Sequence, residues 1–178
     1  MKKTSIQEMN RLSVQEFKKI AKIPLVLILD NIRSQHNIGA VFRTSDAFLV
    51  QKMYLCGITA TPPNRDIHKT ALGATESVDW EYRENAEELV KQLKSEGYKI
   101  VALEQAQNAT VLEHSIIDKT ALALILGNEV NGVQDTLMEL VDECLEIPQY
   151  GTKHSLNVSV SAGIAIYELY KKMTIQAH

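Results

Sequence analysis

The run Pro24 to Asn31, PLVLILDN, is apolar and rich in branched side chains without a break until Asp30. A strand with one wet face would alternate apolar and polar residues. An unbroken run reads as a strand covered on both faces, the environment of a parallel sheet. Shorter strand candidates follow at Lys52–Cys56, Ser77–Glu81, Lys99–Leu103, Leu122–Leu126 and Cys144–Ile147. Helical patterns fall between them at about Ile38–Leu49, Asp66–Leu72, Ala86–Ser95, Gln134–Val141 and Leu156–Met173. Two capping-box patterns, Ser5-x-x-Glu8 and Ser13-x-x-Glu16, predict two short helices at the start, the second running to about Ala21. This alternation predicts an α/β fold, a mostly parallel sheet flanked by helices. Ligands in such sheets bind beyond the carboxyl ends of the strands, so chemistry is expected just after Leu29, Cys56, Leu126 and Ile147.

With 178 residues, 45% of them apolar, the chain is long enough for one sizeable core and is expected to form one domain, residues 23–178, preceded by a short helical segment, residues 1–22. No run approaches the length of a membrane span, and the basic start has no apolar stretch behind it, so a cytoplasmic protein is expected. Cys56 and Cys144 sit in apolar stretches without metal-ligand spacing and read as small buried hydrophobes. The net charge of −3 argues against a broadly basic surface. It is unevenly spread: residues 1–23 carry six Lys or Arg against two Glu, a local excess that can meet phosphate or simply form a solvated amphipathic helix.

Three polar stretches follow strands. The first, Asp30 to Thr44, runs into a helix, with Asn37 as the expected N-cap, Gly39 permitting close backbone approach, and Arg43 further along. A helix N-terminus near arginine favours anions, although taken alone the segment reads as an ordinary capped helix with a surface arginine. The second, Gly127-Asn128-Glu129-Val130-Asn131-Gly132, lacks the Lys-Ser/Thr of a nucleotide-binding P-loop, since Val133-Gln134 follows. Its glycines mark a tight turn that a flat ligand can approach, with Glu129 as acceptor. Alone it reads as a surface turn with a solvated carboxylate. The third, Glu146 to Ser159, holds Ser155 as the expected N-cap of the last helix and Asn157 as donor and acceptor. Capping accounts for Ser155 better than nucleophilic chemistry does, and His36 and His154 read as loop hydrogen bonders before general bases.

Taken in order and spacing, NIGAVFR, ILGNEVNGV and IPQYGTKHSLNVSVSAGIAIYEL resemble the three motifs of the SpoU (TrmH-like) class of SPOUT RNA methyltransferases, and the likeness runs from about Pro24 to Tyr170. The intervening ITATPPNRDIHKTALGA is similar to the segment after the second strand in that family. The resemblance implies transfer of a methyl group from S-adenosylmethionine to a ribose 2′-hydroxyl. It also implies a C-terminal trefoil knot, which periodicity would never have suggested, and a homodimer. It places Leu126, Gly127, Gly132, Ile147, Ser155 and Leu156 around the cofactor, and Asn37, Arg43, Glu129, Ser155 and Asn157 among the catalytic polar residues.

A guanidinium is essentially always charged, so the role expected for Arg43 is to clamp phosphate and stabilise the developing alkoxide. The proton then leaves through phosphate, water or a neighbour such as Glu129. Metal is not expected, since a sulfonium leaves as a neutral sulfide, and catalysis reduces mainly to alignment of the 2′-oxygen with the methyl. RNA contacts are expected from Arg33, Arg43, Arg65, Lys69 and Lys153 and from the basic N-terminal segment, with modest, salt-sensitive affinity. A tRNA substrate is preferred to ribosomal RNA because a small dimer suits a compact RNA. The alternatives are ribosomal RNA itself or a catalytically silent RNA-binding module of the same fold. A dinucleotide-dependent enzyme is disfavoured because no strand is followed by G-x-G-x-x-G.

Overall fold

The computed structural model describes residues 1, 3–4, 11–117 and 120–175. Among them, seven strands form one sheet: β1 (Ile23–Asp30), β2 (Val50–Cys56), β3 (Trp80–Arg83), β4 (Lys99–Leu103), β5 (Thr110–Val111), β6 (Leu122–Leu126) and β7 (Glu143–Glu146). Their spatial order is β3-β2-β1-β6-β4-β7-β5, and every neighbouring pair is parallel. The α/β reading therefore holds. β1 and β6 lie at the centre and are buried almost throughout.

The double burial expected from the unbroken run is visible residue by residue. Leu25, Leu27 and Leu29 join one core with α2 (Gln35–Ala47), α3 (Arg65–Ala71) and α7 (Val158–Ile175). Val26 and Ile28 alternate into a second core, against α5 (Ala86–Ser95) and α6 (Asp135–Met138). α5 keeps its expected limits because its apolar positions repeat at helical spacing and Asn85 accepts from the N–H groups of Glu87 (2.9 Å) and Glu88 (3.1 Å). At the start, α1 (Val14–Lys19) carries the expected capping box between Ser13 and Glu16 and buries Phe17 in the first core. The Ser5/Glu8 pattern lies outside the described residues.

Beyond shifts of one to three residues at the ends of α1, α2, α3, β2, β7 and α7, three segments differ from the sequence expectation. Ser77 belongs to a single helical turn, α4 (Ala74–Ser77), where its hydroxyl donates to the Asp46 carboxylate and the Ala74 carbonyl, so β3 starts only at Trp80. α6 stops at Met138 rather than Val141 because the chain is claimed by the sheet. The Asp142 N–H donates to the Ile100 carbonyl (2.8 Å) and its carboxylate accepts from the Ile100 N–H (2.9 Å). β5, only two residues long, is too short to leave a periodic signature.

Gly39 is required by helix packing. A Cβ there would stand 2.1 Å from Thr70 Oγ1 and 2.3 Å from the Ile67 carbonyl oxygen, so α2 and α3 meet at backbone distance. Gly39→Ala should therefore destabilise the protein by about 1–3 kcal/mol, because backbone must move to admit one methyl group. Urea unfolding of the variant beside the wild type measures this, and an unchanged midpoint would show that the helices separate freely.

Candidate active site

All seven strands run the same way, so the loops after their carboxyl ends gather on one edge. Three of these loops are the polar stretches singled out above, and a carboxylate joins them. Glu129 accepts from the Arg33 N–H (2.9 Å), the Ser34 N–H (3.0 Å) and the Asn37 side-chain amide (3.0 Å). Asn37 in turn accepts from the Asn157 amide (3.1 Å) and the Ser159 hydroxyl (3.4 Å). Asn37, Glu129 and Asn157, far apart in sequence, thus form one hydrogen-bonded chain.

The caps differ from the sequence reading. Ser34, not Asn37, caps α2: its hydroxyl accepts from the Asn37 N–H (3.3 Å) and frees the Asn37 side chain to bridge. Asn157, not Ser155, holds the start of α7, accepting from the Ser159 N–H (2.9 Å) and the Ser159 hydroxyl (2.6 Å). An internal carboxylate also stands at the start of α2, since Glu129 occupies the N–H groups of Arg33 and Ser34.

Partial burial opposes ionisation of Glu129, but the N–H groups of Arg33 and Ser34, its own N–H and the Asn37 amide outweigh it. Its carboxyl is held below the usual glutamate range, and its lone pairs face structural donors. It is poorly suited to receive a proton.

Beside this chain lies a cleft of about 910 Å³ between the ends of β4, β6 and β7 and the start of α7. Leu126, Gly127, Gly132, Ile147, Ser155 and Leu156, the six residues expected around the cofactor, all line it, as do Glu129 and Asn157. Its shape depends on two glycines. A Cβ on Gly127 would lie 2.2 Å from the Val133 nitrogen, and Gly132 adopts a positive φ of 68° while bonding both ways with Asn128 across the turn (2.9 Å each). Ser155 and Leu156 are exposed on its rim.

Arg43 is placed elsewhere. It follows Asn37 by six residues on α2, about 120° around the helix, and is exposed and absent from the cleft lining. Arg33, Arg65, Lys69 and Lys153 are also exposed. Two contributors escaped the sequence reading. Ser159 was hidden inside an apolar helix, and Asn128 ties the second stretch to the first by donating to the Asn31 carbonyl (2.6 Å). The Asx turn that Asn128 makes with the N–H groups of Val130 and Asn131 was the available signal.

Among the described residues no three His, Cys, Asp or Glu side chains group as a metal site, and no helix is long and apolar enough to cross a membrane.

The family model described as SpoU rRNA Methylase matches residues 24–167. The 23S rRNA (guanosine-2'-O-)-methyltransferase RlmB of Neisseria meningitidis is 31% identical over 157 residues, covering 88% of this chain and 62% of that protein. The tRNA (guanosine(18)-2'-O)-methyltransferase of Aquifex aeolicus is 33% identical over 152 residues, 83% of this chain and 69% of that one. Several curated relatives are longer, and the chain spans 56–63% of their length. The crystal structure of the A. aeolicus TrmH/SpoU tRNA modifying enzyme superposes with a TM-score of 0.82 at 27% identity, over 92% of this chain and 82% of that one. The AdoMet-bound rRNA methyltransferase from Sinorhizobium meliloti shares the fold, with a TM-score of 0.80 at 23% identity over 89% of this chain and 60% of that one.

Glu129→Gln should cost about 1 kcal/mol at neutral pH, because one charged acceptor serves three donors at a solvent-accessible position. With the folded-state value lowered, the contribution is complete above the usual glutamate range and fades as pH falls through the lowered value. Unfolding free energies at pH 7 and pH 3.5 should differ less in the variant than in the wild type. Equal pH dependence in both would remove the carboxylate from this role.

Proposed function

The chain belongs to the SpoU rRNA methylase family, and we propose that it transfers a methyl group from S-adenosylmethionine to a ribose 2′-hydroxyl of RNA. The observation that carries this reading is the convergence of Asn37, Glu129 and Asn157 at the mouth of a cleft of cofactor size. The cofactor fits the donor set: Leu126, Ile147 and Leu156 offer apolar surface, and the turn between Gly127 and Gly132 admits a flat ring against backbone. When bound, S-adenosylmethionine supplies an activated methyl group on a sulfonium centre.

The protein's own part is placement. Glu129 fixes Asn37, Asn37 fixes Asn157, and Asn157 fixes the first turn of α7, so the cleft wall and the polar rim move as one. The Arg43 side chain makes no hydrogen bond or ion pair among the described residues and remains available to a phosphate and to the oxygen that gains charge. The hydroxyl proton leaves through phosphate or water, since Glu129 is committed to its donors. Ser155, on the rim, is a cofactor contact in this reading.

A homodimer belongs to the same reading. Val160, Ile164 and Tyr167 form an exposed apolar stripe along α7, and Ile147 lines both the groove beside that stripe and the cofactor cleft. A second copy seated there would adjoin the site. The knot is supported in part by α7, which leaves β7 near one edge of the sheet yet packs against α2 and β1 at its centre. Relatives that act on tRNA and on ribosomal RNA superpose alike, so the substrate is proposed as an RNA, with tRNA tested first. Arg33, Arg43, Arg65, Lys69 and Lys153 are the cations that would contact it.

The test is transfer of labelled methyl from S-adenosylmethionine to unmodified tRNA and, separately, ribosomal RNA, followed by nucleoside analysis. A 2′-O-methylated ribose is expected, first in tRNA. Cofactor binding with no incorporation in either pool would favour a silent RNA-binding module. Arg43→Ala should lower transfer by about a hundredfold or more while cofactor affinity measured by calorimetry stays unchanged. Gly127→Ala should do the reverse at the cleft, weakening cofactor affinity at least about tenfold through overpacking, and wild-type binding by that variant would take Gly127 out of the pocket wall.

A further inference from the structure

The cleft assigned to the cofactor has a charge pattern that the reading above does not use. Among the described residues, Glu104, Glu129 and Asp135 line it, no lysine or arginine does, and His154 is the remaining titratable side chain on its wall. The three carboxylates are not equivalent. Glu129 is occupied by the donors described above. Asp135 is exposed at the first position of α6. Glu104 stands just beyond the carboxyl end of β4, half-buried, where Oε1 accepts from the Gln105 N–H (2.8 Å) and Oε2 from the Val133 N–H (3.0 Å).

Each oxygen of Glu104 therefore takes one donor and keeps acceptor capacity. Its seat is closely shaped. A Cβ on Gly132 would come within 2.3 Å of Glu104 Oε2 and push the carboxylate aside, so its present position depends on that residue lacking a side chain. The next residue, Gln105, donates its side-chain amide to the His154 carbonyl (3.0 Å) and brings the third polar stretch over the same corner. A carboxylate fixed from both sides in a partly enclosed cleft acts on a ligand's charge less screened than it would be in open water.

We propose that Glu104, assisted by Asp135, makes this cleft selective for a cationic ligand, so that the sulfonium cofactor is held more tightly than its neutral sulfide product. The inference rests on the methyl-transfer reading. On transfer, the methyl C–S bond breaks with its electron pair remaining on sulfur, a C–O bond forms to the ribose oxygen, and the hydroxyl proton passes to solvent. One positive charge thereby leaves the cleft. The carboxylates then lose their attraction for the sulfur atom, and release of the product is favoured.

Isothermal calorimetry with S-adenosylmethionine, S-adenosylhomocysteine and sinefungin, which carries an amine-bearing carbon in place of the sulfonium, tests this without turnover. For the wild type at low salt, the two cationic ligands should bind about five- to twentyfold more tightly than the sulfide, with the ratio shrinking as salt rises. Glu104→Gln should bring that ratio near unity by weakening the cationic ligands alone, and Asp135→Asn, an exposed change of charge, should lower it in part. A wild-type ratio of one or less, or a ratio unchanged in both variants, overturns the proposal. If Glu104→Gln loses all three ligands, Asp135→Asn decides: a reduced ratio supports the proposal and an unchanged one defeats it. Failure of every ligand to bind the wild type would instead overturn the cofactor reading, and this inference with it.

Discussion

Burial of β1 on both faces is the constraint from which the rest of the architecture follows. Leu25, Leu27 and Leu29 on one side and Val26 and Ile28 on the other each need an apolar cover, so the chain must place helices on both faces of the sheet. Parallel pairing with β2 and β6 then forces long crossovers, and those crossovers are the helices that supply the cover. The loops that begin each crossover collect at one edge, where no apolar demand remains. Polar side chains concentrate there for that reason, and binding can be built there without disturbing either core.

The polar edge is organised by acceptors more than by charges of opposite sign. Glu129 draws backbone N–H groups, Asn128 draws those of its own turn, and Asn157 draws the Ser159 N–H of α7. Each interaction replaces a water contact by one of fixed direction, and together they hold loops that would otherwise fluctuate independently. The arrangement differs from a metal-centred or nucleophile-centred site because its product is a shape, a cleft with apolar walls and a polar rim. Orientation of two reactants is the catalytic effect that such a shape supplies best.

Much of this was legible in the sequence. The unbroken run at β1, the limits of α5, β4 and β6, and the location of polar chemistry after β1, β6 and β7 follow from periodicity and from the geometry of parallel sheets. The identities of the caps were not. Ser34 and Asn37 are both competent at a helix start, as are Ser155 and Asn157, and the choice between them depends on whether Glu129, ninety-two residues from Asn37, claims the amide. The withdrawal of Arg43 from the cleft is likewise a matter of helical phase relative to a wall built from later segments. The end of α6 depended on Asp142 finding Ile100. In each case the deciding partner is distant in sequence, where local propensity carries no information.

The hydrogen-bonded chain from Glu129 through Asn37 to Asn157 also bears on how the molecule comes into being. Its last link joins residues 120 positions apart, and β1 meets β6 across almost the whole intervening chain. Contacts of that span are entropically costly to close and form slowly. The polar rim is complete only when Asn37 and Asn157 have met. During synthesis, a ribosome-bound chain whose α7 is still in the exit tunnel has both cores begun but the link from Asn37 to Asn157 unmade, so the polar rim takes shape only after that helix emerges.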